Sequence, residues 1–187
     1  NQAAIAGPLT KLALRPRKAS DLGHMIARAM REARSGRPGP VQMALPFDLL
    51  NAPATGDVVP ERTAFQAEPR PADAQGLASI LAGLREAKRP LILTGPALNA
   101  SRGRAEIAAL TEKLDLPVIP MESPRGLKDP ALGGLAGLLA QADCVLLLGK
   151  AVDFTLGFAE GGVFAGAQRV HVIDPDPAMR DRARRKL

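Results

Sequence analysis

The run Pro90-Leu-Ile-Leu-Thr-Gly95 is short, almost wholly apolar and closed by a glycine, and whether it recurs decides the fold. It recurs. Leu116-Pro-Val-Ile-Pro120, Cys144-Val-Leu-Leu-Leu-Gly149 and Arg169-Val-His-Val-Ile-Asp174 follow the same pattern downstream. Around these runs the apolar spacing becomes helical and predicts helices over about 73–87, 103–114, 135–141 and 177–185. Strands nearly continuous in Val, Ile and Leu are buried on both faces, and helices alternating with them supply the crossovers of a parallel sheet. The expected fold class is α/β, a doubly wound parallel sheet over residues 73–187.

Upstream, residues 20–35 read as a helix. Ser20 or Asp21 is its cap, Leu22, Met25, Ile26, Ala29, Met30 and Ala33 form its apolar face, and Gly36 ends it. A strand follows, in which Val41, Met43 and Leu45 alternate with Gln42 and Ala44 before Pro46, which has no amide hydrogen to give. From Asn51 to Ala72 the periodicity vanishes into a polar stretch punctuated by Pro53, Gly56, Pro60, Pro69 and Pro71. Such a length is unusual inside a domain and natural between two. The expected layout is a helix-strand remnant of another α/β domain over 1–50, a linker over 51–72, and the sheet domain over 73–187.

Composition excludes several functions. Among 187 residues there is no Trp, no Tyr and only five Phe, which argues against surfaces that stack on bases or sugars. The net charge of +6 arises from 25 Lys and Arg against 19 Asp and Glu, and its distribution matters more than its size. Arg28, Arg31 and Arg34 are spaced along one helical face, and Arg180, Arg182, Arg184, Arg185 and Lys186 crowd the end of the last helix. Both groups read as solvated helix faces, so no nucleic-acid partner is expected. Cys144 is the single cysteine, which excludes an internal disulfide framework and a multi-cysteine zinc site and favours the cytoplasm. No run approaches the roughly 18 apolar residues of a membrane span, so no membrane partner is expected. His24 and His171 have no Cys or carboxylate arranged around them and read as structural. No residue is assigned to catalysis or to a metal.

In sheets of this kind ligands bind beyond the carboxyl ends of the strands. Those ends carry Gly95-Pro-Ala97, Gly149 and Asp174. Glycine lets a phosphate or ribose approach the backbone, and a carboxylate accepts hydrogen bonds from ribose hydroxyls. Each also has a plainer reading: Gly95 as a tight turn, Asp174 as a cap beside Pro175. Lys150 is placed to neutralise a phosphate, with a solvated lysine as the default. The dinucleotide Gly-x-Gly-x-x-Gly and the Gly-Lys-Ser/Thr loop are both absent from the sequence.

The series of motifs resembles the thiamine-diphosphate-dependent enzymes of the acetolactate synthase, benzaldehyde lyase and oxalyl-CoA decarboxylase group. Pro8-Leu-Thr-Lys11 with Ser35-Gly-Arg-Pro-Gly-Pro-Val-Gln-Met-Ala-Leu-Pro-Phe-Asp48 looks like the end of that family's pyrimidine-binding domain. Ala87-Lys-Arg-Pro-Leu-Ile-Leu-Thr-Gly95, Leu116-Pro-Val-Ile-Pro120, Ala142-Asp-Cys-Val-Leu-Leu-Leu-Gly149 and Val170-His-Val-Ile-Asp-Pro-Asp-Pro177 follow its Rossmann-like central domain. The resemblance implies part of a lyase, carboligase or decarboxylase acting on 2-oxo acids or 2-hydroxyacyl compounds. It implies thiamine diphosphate and magnesium bound outside these residues, a small-molecule substrate, and a homodimer or homotetramer formed through other domains. The fragment itself is expected to be non-catalytic. In some members the central domain binds FAD or ADP, and Gly95, Pro96, Ala97, Gly149 and Asp174 match positions near that nucleotide. Where acetolactate synthases carry Gly-x-Arg-Phe-Asp, this sequence has Gly149-Lys-Ala-Val-Asp153, with Ala151 in the arginine's place. The alternative is a self-contained module binding FAD, ADP or NAD as a sensor or carrier.

Overall fold

The computed structural model describes residues 1–53, 59–67, 69–99, 101–121, 124–167 and 169–187, and for residues 101 and 102 the backbone alone. The chain divides into two compact units, Asn1–Arg70 and Pro71–Leu187.

The first unit runs through α1 (Gln2–Ala6), β1 (Leu12–Leu14), α2 (Leu22–Arg34), β2 (Val41–Met43) and α3 (Phe47–Leu50). β1 and β2 pair in parallel, Leu12 opposite Val41 and Leu14 opposite Met43. The expected helix and strand are present, while β1 and α3 have too few residues to show a period. Helix α2 opens through a 3₁₀ turn at Ala19–Asp21 with no side-chain cap, and Gly36 adopts φ +55 just beyond its end. The expected apolar face is only partly covered: Ala27 is buried, whereas Ile26 and Met30 are 43% and 46% exposed. Two strands of three residues shield a stripe narrower than the face the sequence provides. Arg31 departs from the solvated-face reading. It is half-buried, and its Nη1 donates to Ala64 O at 3.0 Å, tying the 3₁₀ turn Arg62–Phe65 to α2. The linker expectation therefore contains an ordered turn, and residues 54–58 and 68 of it lie outside the described residues.

The second unit holds α4 (Ala74–Glu86), β3 (Pro90–Thr94), α5 (Pro96–Asn99), α6 (Ser101–Leu114), β4 (Val118–Pro120), α7 (Leu135–Gln141), β5 (Cys144–Leu148), β6 (Arg169–Ile173) and α8 (Pro177–Lys186). The four strands make one parallel sheet in the order β4-β3-β5-β6. This is the expected α/β architecture. Asp73 starts α4 by accepting from Gly76 N at 2.6 Å, and Asp176 starts α8 by accepting from Ala178 N at 2.9 Å. Alternation along each strand sends side chains to two cores. Leu91, Leu93, Val145 and Leu147 pack with Leu135 and Leu139 of α7 and Ala183 of α8; Ile92, Cys144 and Leu146 pack with Leu84 of α4. Ile92, Leu93, Val145 and Leu147 are fully buried, which explains why the strands read as unbroken apolar runs. β4 is an edge strand and shorter than its apolar run, so Pro120 costs no ladder hydrogen bond toward the sheet interior.

Candidate functional site

The chain passes from β3 outward to β4 and then returns to β5 on the other side of β3, which makes the β3–β5 boundary the topological switch point. Thr94, Leu148 and Ile173 stand in register across the sheet. The ladder continues one residue further: Gly95 N donates to Leu148 O at 3.0 Å and Gly149 N to Ile173 O at 2.7 Å. Gly95, Gly149 and Asp174 are thus brought into one row along the carboxyl rim. Pro96 and Ala97 follow in α5, both exposed.

Each member of the row has a local reason for its residue type. A Cβ on Gly95 would lie 1.8 Å from Gly149 O, so Gly95 is required by backbone-to-backbone contact. Gly149 itself has φ +62, a region that L side chains seldom adopt. Asp174 is 6% exposed; its Oδ1 accepts from Asp176 N at 2.8 Å and its carbonyl accepts from Arg180 Nη1 at 2.6 Å. The Asp176 N contact is that of a turn, and the cap of α8 is Asp176 and not Asp174. Behind Gly95, the buried Thr94 hydroxyl donates to Asn99 Oδ1 at 2.8 Å.

Lys150 overturns its default. It is 3% exposed, and its Nζ donates to Ala151 O at 3.0 Å, Asp153 Oδ1 at 3.0 Å and Thr155 Oγ1 at 2.6 Å. Burial alone would raise the Asp153 carboxyl, but hydrogen bonds from Thr155 and Lys150, with the lysine's charge, outweigh it and hold that group below the ordinary carboxylate range. Sequence reasoning missed this trio. Its only signal was the spacing of a lysine, an aspartate and a threonine just past a buried strand.

The amino ends of the strands carry a second cluster. Asp143 Oδ2 and Oδ1 accept from Lys88 N and Arg89 N, both at 2.9 Å, fixing the entry to β3 beside the entry to β5. A cleft of about 70 Å³ opens there between Gly83, Glu86, Ala87, Asp143, Cys144 and Arg169. Burial pushes the Cys144 thiol up, as suits an inert core cysteine. His171 Nε2 is buried without a hydrogen-bond partner, and a Cβ on Gly83 would lie 3.0 Å from it. Burial, then the charge of Arg169, lowers the His171 pKa. The unfolded chain therefore binds more protons than the folded one just below the ordinary imidazole pKa of about 6.5. Stability should be full above that value and fall as pH drops through the window beneath it. Urea midpoints at successive pH values check this, and His171→Gln should flatten the slope.

Among the described residues, no group of three His, Cys, Asp or Glu is placed to hold a metal ion, and no helix is long and apolar enough to cross a membrane. A family model for the central domain of thiamine pyrophosphate enzymes matches residues 77–186. The chain belongs to this family. Over 185 residues it is 30% identical to an oxalyl-CoA decarboxylase of Escherichia coli K12, covering 95% of this chain and 33% of the relative. It is 29% identical over 192 residues to an acetolactate synthase of Arthrospira platensis, covering 93% of this chain and 33% of that one. A benzoylformate decarboxylase of Pseudomonas aeruginosa is 29% identical over 190 residues, covering 92% of this chain and 35% of the relative. The chain spans about a third of the length of the curated relatives it matches.

Proposed function

We propose that this chain is the linking domain, with the end of the pyrimidine-binding domain, of a thiamine-diphosphate-dependent lyase, carboligase or decarboxylase acting on 2-oxo acids or 2-hydroxyacyl compounds. The observation that carries the reading is similarity to a decarboxylase and a synthase over 95% and 93% of the chain, well beyond the matched central domain at residues 77–186. Thiamine diphosphate supplies carbanion stabilisation when bound; the residues present here position the domains that hold it. Magnesium, the substrate and the contacts of a homodimer or homotetramer are assigned to the parent's other domains, in a cytosolic enzyme. Decarboxylation of oxalyl-CoA, pyruvate and benzoylformate should be assayed with cofactor and magnesium. The full-length protein is expected to turn over at least one of them and the 187-residue chain none. Turnover by the chain alone would overturn the reading.

A second reading places FAD or ADP at the carboxyl rim through Gly95, Pro96, Ala97, Gly149 and Asp174. It is favoured by the row that three of these form at the switch point. Calorimetric titration with FAD, ADP and NAD tests it: micromolar binding that Asp174→Ala removes would support it, and silence would leave the linking role alone.

A further inference from the structure

Against the second reading above, we infer that the loop leaving β5 is organised by its own lysine and offers no cation to a bound phosphate, so that this part of the rim is a packing device and not a nucleotide diphosphate site. From Gly149 to Ala167 the sequence contains one cation, Lys150. Its ammonium has three donors, and Ala151 O, Asp153 Oδ1 and Thr155 Oγ1 accept from it within 3.0 Å. Asp153 Oδ1 accepts in addition from Thr155 N at 3.0 Å. A phosphate seeking this charge would have to draw the lysine away from Asp153 and leave a partly buried carboxylate without its counter-ion, a costly exchange in a low-dielectric site.

The surrounding backbone agrees. Asp153 O accepts from Leu156 N at 3.0 Å and from Phe158 N at 2.9 Å, so the residue that holds Lys150 also anchors the turn that follows. That turn carries Gly157, Phe158 and Ala159 at φ +57, +53 and +64. Consecutive left-handed residues that include Phe and Ala persist only where their surroundings over-determine them. Val152 and Leu156, on either side of Asp153, are 1% and 0% exposed, and these apolar anchors with the Lys150 trio supply that constraint without a ligand. On the neighbouring strand end, Gly149 O already fills the space beside Gly95. The Asp174 carboxylate is turned onto Asp176 N.

Hydrogen exchange, followed by mass spectrometry on peptides spanning 149–163 of the full-length protein, tests the inference with and without ADP or FAD. In the wild type the protection of this peptide is expected to be the same in all three conditions. Lys150→Met is expected to raise its exchange about tenfold, ahead of peptides in β3 and β5, by local opening. Thr155→Val, which keeps both charges, should act in the same peptide to a smaller degree and serves if Lys150→Met does not fold. Slowing of exchange in the wild-type peptide by either nucleotide would overturn the inference. So would unchanged exchange in the variants.

Discussion

Gly95→Ala is expected to cost the sheet domain about 3 kcal/mol, the upper end of what overpacking usually exacts. The reason is the kind of atom the new methyl meets. It would stand 1.8 Å from Gly149 O, 2.5 Å from Gly149 C and 3.1 Å from Lys150 N, all main chain, so no rotamer change relieves it. The strand ends would have to part, breaking the 3.0 Å bond from Gly95 N to Leu148 O and loosening the entry to the Lys150 loop. Gly137→Ala makes the control. Gly137 lies exposed within α7 with nothing within 4 Å of its would-be Cβ, and alanine there should stabilise by about 0.5–1 kcal/mol through helix propensity. Urea denaturation of both variants gives midpoints shifted in opposite directions. Equal midpoints for Gly95→Ala and wild type would mean that the two strand ends do not touch.

The sheet was legible because its signal is composition over a whole strand. Residues such as Val145 and Leu147 on one face, and Cys144 and Leu146 on the other, must all be apolar when both faces are covered, and no tertiary detail is needed to see that. The helices on either side were legible to within a few residues, since Asp73 and Asp176 mark their starts by side-chain chemistry. α5 was not. Four residues, Pro96–Asn99, make about one turn, too short for a period.

The candidate rim was legible as a place and illegible as chemistry. Glycines and an aspartate at strand ends announce the carboxyl edge of a parallel sheet, but the same residues serve a ligand or the packing of the chain against itself. Within the chain these residues meet one another at short range: Gly149 O against Gly95, Asp176 N against Asp174, Asp153 against Lys150. Sequence carries no such distances. Lys150 shows the difficulty most clearly, because a lysine beside a strand end is exposed by default, and only its partners three and five residues on make burial affordable.

Gly126→Ala is expected to destabilise by about 3 kcal/mol, from a left-handed alanine and from overlap with a neighbouring main chain. Gly126 is buried at φ +58, in the turn Gly126–Lys128 that follows β4. Its Cβ would fall 2.2 Å from Thr155 O and 2.3 Å from Thr155 Cα, so the turn after β4 and the turn after β5 are pressed together at a point where only a hydrogen fits. Thr155 is also the residue whose hydroxyl accepts from Lys150. A methyl at position 126 therefore strains the Lys150 trio from outside, and the two perturbations share one element. Their effects should then fall short of additive: with the loop already loosened by Lys150→Met, the added methyl meets a Thr155 that can move aside. A double-mutant cycle read by urea denaturation should give an interaction energy of about 1 kcal/mol, as for residues acting through a common contact. Strict additivity would show that the turn after β4 and the lysine network support the rim independently.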